Sequence, residues 1–205
     1  MSNQALLCWS GGRDSTLMLY DTLALRNVKV RTISINHPQI ENSKVQEHYR
    51  KILIEKLQSK FGEWEHKELH LDYGIRCSSG IQPCIWTYHA LIEANDDEDI
   101  HVGYVHGDDY WSAQERYANL FTQLRDNIWK KGELITPYAN IKKSTILTRL
   151  AELDLLRYTW YCQNGGLIPC GKCISCDVDM MAKYYLKMKE PNNYKSVMNN
   201  LKRKQ

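Results

Sequence analysis

The chain has 205 residues, a formal net charge of +3 and 43% hydrophobic residues. That suffices for one domain with a full core, or one plus a small appendage, and is too little charge to argue for a nucleic-acid partner. No run reaches the length of a membrane span and the N-terminus lacks a signal-peptide pattern, so a cytoplasmic protein is expected, in which seven cysteines point to metal or chemistry rather than disulfides.

A short apolar run, Ala5-Leu6-Leu7-Cys8-Trp9, predicts a buried first strand. It leads into Ser10-Gly11-Gly12-Arg13-Asp14-Ser15, and a helix should run from about Ser15 to Arg26. A Gly-Gly pair at a strand-to-helix turn lets backbone N–H groups converge without Cβ interference. The helix N-terminus adds partial positive charge, so strand, loop and helix make an anion cradle. Ser10 and Ser15 add hydroxyl donors, and Asp14 suits Mg²⁺ or its water shell. A tight turn with a capping Ser or Asp is the plainer reading. No Walker A pattern occurs. The loop resembles the S-G-G-x-D-S loop of the ATP pyrophosphatases, whose members adenylate a substrate and release pyrophosphate. That resemblance implies a grip on the β- and γ-phosphates that leaves the α-phosphorus open to a nucleophile.

Val28 to Ile35 alternates as a second strand, ended by Asn36-His37-Pro38. Asn36 and His37 would stand at the rim of an adenosine site, or simply turn the chain. Ser43-Lys44-Val45-Gln46 reads as a capping box, and Val45, Tyr49, Ile52, Leu53 and Leu57 repeat at helical spacing before Gly62. Glu68 to Leu71 predicts a third strand, Asp72 to Pro83 a loop, and Cys84 to Ala94 a helix. Asn95-Asp96-Asp97-Glu98-Asp99 reads as a solvated acidic turn. Ile100 to Val105 is a fourth strand, running into the polar and aromatic cluster His106-Gly107-Asp108-Asp109-Tyr110-Trp111, where a substrate site is expected. Tyr117, Leu120, Phe121, Leu124 and Ile128 mark an amphipathic helix closed by Gly132. Glu133-Leu134-Ile135 is a short fifth strand ending at Thr136-Pro137, and Ser144 is placed to cap a helix carrying Ile146, Leu147, Leu150 and Leu153. This alternation predicts an α/β fold, a doubly wound parallel five-stranded sheet over residues 1–158, with a small C-terminal zinc-binding and helical segment over 159–205.

In that segment, Cys162 is followed by Cys170-Gly171-Lys172-Cys173-Ile174-Ser175-Cys176. Two consecutive C-x-x-C steps plus Cys162 offer four thiolates, which suit tetrahedral Zn²⁺; an iron–sulfur cluster or a redox pair would use the same residues. Lys172 would offset part of the charge. Cys8 reads as an inert core residue, and Cys77 and Cys84 are left over. The tail from Met181 carries lysines, arginine and the tyrosines Tyr184, Tyr185 and Tyr194, which suits a solvated helix with a basic end more than an RNA contact.

Loop, sheet and cysteines together resemble the 7-cyano-7-deazaguanine synthases, the QueC-type branch of the ATP pyrophosphatases (adenine nucleotide alpha hydrolase-like fold). Ser10 to Ser15 matches the pyrophosphate loop. Gly103 and Asp108 match a glycine and an acidic residue after the fourth strand, Arg116 an arginine closing that motif, and Thr136-Pro137 and Lys143 a threonine–proline and a lysine. Cys162, Cys170, Cys173 and Cys176 match the zinc ligands. The resemblance implies ATP, Mg²⁺ and Zn²⁺ as cofactors, with Ser10, Asp14, Ser15 and Lys143 catalytic and Gly11, Gly12, Arg13 and Gly103 helping to hold the nucleotide. It implies a deazapurine carboxylate and ammonia as substrates, contacted by Asp108, Asp109, Arg116 and Trp111, and a homodimer without membrane or nucleic-acid partners. Tyr110, Trp111 or Trp86 could stack on the deazapurine. Two segments depart from the family: Pro83 is followed by Cys84-Ile85-Trp86, without the usual arginine, and Tyr110 to Glu115 replaces the usual acceptor-site stretch. Arg76, Asp109 or Arg116 would compensate, or the acceptor is an amine on a protein, as in QueC-like ligases of antiviral gene clusters. A nucleotide-binding scaffold without turnover and a tRNA-thiolating enzyme are the remaining alternatives.

Overall fold

The computed structural model describes residues 3–37, 42–71, 82–108, 111–164 and 166–187. Five strands, β1 (Gln4–Cys8), β2 (Lys29–Asn36), β3 (Glu65–His70), β4 (Asp99–Val102) and β5 (Leu134–Ile135), form one sheet in the order β3-β2-β1-β4-β5. Every neighbouring pair is parallel. The helices are α1 (Arg13–Ala24), α2 (Ser43–Phe61), α3 (Gln82–Glu93), α4 (Gln114–Asn127), α5 (Lys143–Glu152) and α6 (Ile174–Lys187). The doubly wound parallel sheet expected from the strand–helix alternation is therefore present.

Alternation along β1 sends successive side chains to opposite layers. Ala5, Leu7 and Trp9 pack with Leu17, Leu53, Leu57, Ile146 and Leu150 from α1, α2 and α5. Leu6 and Cys8 pack with Ala90, Leu91 and Phe121 from α3 and α4. Covering on both faces is why this central strand reads as a continuous apolar run. The strand order reverses between β1 and β4, which puts the ligand crevice outside the carboxyl ends of those two strands. No helix among the described residues is long and apolar enough to cross a membrane.

Local expectations fail where tertiary partners intervene. The capping box at Ser43 does not form: Asn42 precedes α2 without a side-chain cap, and the Ser43 hydroxyl donates to the His37 carbonyl. Ser144 is a buried second residue of α5 rather than its cap. The acidic turn is only partly solvated, because Glu98 is buried and accepts from Arg31 and from the Asn95 N–H. On α4 only Phe121 is buried, so the face expected in the core is largely open. β4 stops at Val102 instead of Val105, where its pairing with β1 ends at Cys8. α6 begins at Ile174, well before Met181. Of the loop predicted over Asp72 to Pro83, residues 72–81, with Arg76 and Cys77, lie outside the described residues, as do Asp109, Tyr110 and the tail from 188, while Gln82 and Pro83 open α3.

Candidate active site

The loop Ser10–Ser15 spans the carboxyl end of β1 and the first turn of α1. Gly11 has φ of +78°, the left-handed region that favours glycine. The Gly12 N–H donates to Ser10 Oγ at 3.1 Å, the Ser10 N–H donates to Ser15 Oγ at 3.3 Å, and the two hydroxyls lie 3.1 Å apart. Gly12 precedes α1, and no side chain caps the helix. Its first-turn N–H dipoles are thereby left to an anion.

Two distant residues complete this corner. Lys143, the first residue of α5, donates to Asp14 Oδ2 as an ion pair. The other oxygen, Asp14 Oδ1, is buried and has no hydrogen-bond partner among the described residues. A hard, buried carboxylate oxygen of this kind suits a magnesium ion or its water shell. Gly103, just past β4, lies against the same turn: a Cβ there would stand 2.9 Å from Ser15 N and 3.0 Å from Ser15 Cα. The structure thus brings Ser10, Gly11, Gly12, Asp14, Ser15, Gly103 and Lys143 to one place.

The Arg13 side chain, expected to help hold the nucleotide, is placed against the cysteine segment. Its guanidinium turns away to pair with Asp179 of α6 and lies 3.8 Å from the Tyr161 ring centroid, with the residue 5% exposed. Burial draws its pKa down to about 10. Asp108 accepts the Val105 N–H at 3.0 Å, closing the turn after β4. Arg116 is an exposed residue in the first turn of α4. Trp111 opens a short 3-10 turn, with only its backbone described. Trp86 and Cys84 are half-buried in α3, and burial raises the Cys84 thiol. Cys8 is buried and pushed up to about 12, which removes it as a nucleophile.

Arg50 on α2 was not a candidate from sequence, yet it holds the loop. It is 1% exposed. It donates to the Ser10 carbonyl at 3.1 Å, to Asn36 Oδ1 at 2.9 Å and to Glu68 Oε1 at 3.1 Å. Its Cγ fills the space a Cβ on Gly11 would need. Asn36 is accordingly tied into this network, not offered to a nucleoside. Tyr138, fully buried behind Thr136-Pro137, donates to Asp21 of α1. The only sequence signal for either pair was a charged residue falling on a helix's apolar face.

Beside the loop, the thiols of Cys162, Cys170, Cys173 and Cys176 all lie within 4.8 Å of one another and could hold a metal ion. The Asn164 and Cys170 N–H groups donate to Cys162 Sγ at 3.4 and 3.3 Å. The Lys172 N–H draws the Cys170 thiol down to about 7, and burial drives Cys176 up to about 12. The cluster is tied directly to the loop. Trp160 donates to the Gly11 carbonyl at 3.2 Å and bridges Gly12 as a parallel partner. Asn42 Nδ2 and Trp160 Nε1 both donate to the Cys162 carbonyl, and Trp160 stacks on Tyr49 of α2.

A parallel α/β sheet in this order, with this loop at its switch point, is the PP-loop, adenine nucleotide alpha hydrolase-like fold. A solved U34-tRNA thiolase, NcsA from Methanococcus maripaludis with its [4Fe-4S] cluster, covers 99% of this chain and 73% of its own at TM-score 0.56 and 19% identity. A 4-thiouridine synthetase–RNA complex with bound ATP covers 96% of this chain and 52% of its own at TM-score 0.55 and 12% identity. At those identities the likeness is one of fold. Within the fold, the model of the family "Queuosine biosynthesis protein QueC" matches residues 85–184. The 7-cyano-7-deazaguanine synthase of Paracoccus denitrificans is 28% identical over 97 residues, 44% of this chain and 42% of that enzyme. That of Trichormus variabilis is 34% identical over 90 residues, 42% of this chain and 38% of that enzyme. Over residues 85–184 the chain is similar to the QueC-type synthases, and its matches span less than half the length of these curated relatives.

Proposed function

We propose that the chain is an ATP-dependent C–N ligase acting on a 7-carboxy-7-deazaguanine-type carboxylate. The observation that carries the reading is the corner where the loop, Asp14, Lys143 and Gly103 meet beside four clustered thiols, in a chain similar to QueC over 85–184. A carboxylate oxygen attacks the α-phosphorus and the bond to the bridging oxygen breaks, giving an acyl-adenylate and pyrophosphate. Loop N–H groups and the Lys143 ammonium stabilise charge on the leaving pyrophosphate. Asp14, whose Oδ1 is buried without a hydrogen-bond partner among the described residues, would hold a magnesium ion, which would supply further stabilisation of phosphate charge. Ammonia then displaces AMP to give the amide, and a second ATP drives its dehydration to the nitrile. The sulfur spacing favours one tetrahedral ion, because a Zn–S bond of about 2.3 Å sets neighbouring sulfurs about 3.8 Å apart. A cubane cluster puts each thiolate on a different iron and spreads them more widely.

Incubation with ATP, the deazaguanine carboxylate and ammonia is expected to yield AMP and pyrophosphate. ADP and phosphate, or intact ATP, would overturn the reading. Lys143→Met should lower turnover by about 10²–10³-fold, as for loss of one charge-stabilising donor, with an unchanged circular dichroism spectrum. The replaced segments at Cys84-Ile85-Trp86 and Tyr110 to Glu115 favour a second reading, in which the amine belongs to a protein. Mass spectrometry separates them: a free nitrile for ammonia, a mass gain on a co-expressed partner for the protein amine.

A further inference from the structure

We infer that Arg13 couples the four-cysteine site to the phosphate loop, so that metal occupancy sets nucleotide affinity. This rests on the reading above that the thiols hold a metal ion and the loop holds ATP. Arg13 is the first residue of α1 and the middle of the loop, yet its side chain belongs to the cysteine segment. It is buried against Tyr161 and paired with Asp179, itself 3% exposed and also paired with Lys183 at 2.9 Å.

Each handhold is close in sequence to a cysteine. Trp160, which donates to the Gly11 carbonyl, is two residues before Cys162. Tyr161, whose ring carries the guanidinium, is one before it. Asp179 follows Cys176 by three residues, one turn along α6. Metal–thiolate bonds fix Cys162 and Cys176 relative to each other and so fix Tyr161 and Asp179 as a rigid pair of jaws. Without them, the same positions depend on the Asn42 hydrogen bond to the Cys162 carbonyl and on the packing of Trp160, Cys162 and Cys176 with Val45 alone. Arg13 then loses a fixed partner, and the Gly12–Arg13–Asp14 backbone loses the anchor that aims its N–H groups. Arg13 is therefore a positioning residue: its guanidinium is held by Asp179 and Tyr161, and it acts through the backbone on either side.

Coupling between two sites is reciprocal in affinity. For zinc-loaded protein, calorimetry with an ATP analogue bridged by methylene between the α- and β-phosphorus is compared with protein stripped by a chelator. Stripping is expected to weaken the analogue about tenfold, within the usual range for coupled sites. Saturating analogue should raise zinc affinity in chelator competition by the same factor. In Arg13→Met and Asp179→Asn, zinc should still bind at one ion per chain, but both effects should shrink to within about twofold. A merely structural Arg13 would lower thermal stability without abolishing this reciprocity. The wild-type measurement decides the inference even if a variant fails to fold. Independent binding of zinc and analogue in wild type, or full coupling in both variants, overturns the inference and leaves the proposed function standing. A chain that binds no metal or no analogue overturns the reading beneath it, and the coupling with it.

Discussion

His101 sits in β4 beside Leu7 of β1, on the sheet face that α1 and α5 cover. Its Nδ1 is buried without a hydrogen-bond partner among the described residues, and burial draws its pKa down to about 4. The folded chain holds this imidazole neutral, whereas the unfolded chain protonates near 6.5. Its contribution is therefore complete above about pH 6.5 and lost as pH falls through 4, up to about 3 kcal/mol at about 1.4 kcal/mol per pH unit. Urea unfolding at stepped pH should show that slope in wild type and lose it in His101→Leu. Arg50 makes the opposite case at the same scale. It is a buried cation retained because three acceptors, on Ser10, Asn36 and Glu68, meet it together.

Among elements, the end of β4 meets the start of α1 backbone to backbone at Gly103. The neighbours of a Cβ on Gly103 are backbone atoms of Ser15, which cannot swing aside. Gly103→Ala should cost about 1–3 kcal/mol by overpacking and tilt the helix N-terminus off the loop, weakening nucleotide binding. Gly62 supplies the control. Its φ is +87° and a Cβ there meets nothing within 4 Å. Gly62→Ala should cost about 1–3 kcal/mol of backbone strain and leave nucleotide affinity unchanged. Denaturation midpoints and calorimetric affinities for the two variants test both statements. The strand–helix order was legible here because each element is contiguous and periodic. The caps at Ser43 and Ser144 were misread because longer-range partners, His37 and the buried surface under α5, decided them.

At the scale of the whole molecule, the cysteine segment has little apolar core of its own, chiefly Trp160, Cys162 and Cys176 packed with Val45 of α2. Leu167, Ile168 and Ile174 are 72%, 82% and 64% exposed, so burial alone holds this segment weakly. Metal is expected to supply the difference, since binding in such sites contributes roughly 10–16 kcal/mol to local folding. Cys173→Ser should lose the ion by elemental analysis and expose amides of 160–187 to hydrogen exchange, while the β1–β4 core stays protected. Retained protection would show that packing suffices without metal.

The sequence by itself determined the parallel α/β sheet, the glycine turn between β1 and α1 and the four-cysteine set. Each is written in adjacent residues: an apolar run, a glycine pair before a helix, a spacing of thiols. Only the tertiary structure decided what stands around them. It set Arg13 on Asp179 and Lys143 on Asp14, and placed Arg50 under Ser10. These contacts join residues far apart in the chain, and a lone charge on a helix carries no local mark of its partner. The partner is selected only when the sheet closes, because burial makes an unpaired charge costly and leaves the nearest buried acceptor as the one it must meet.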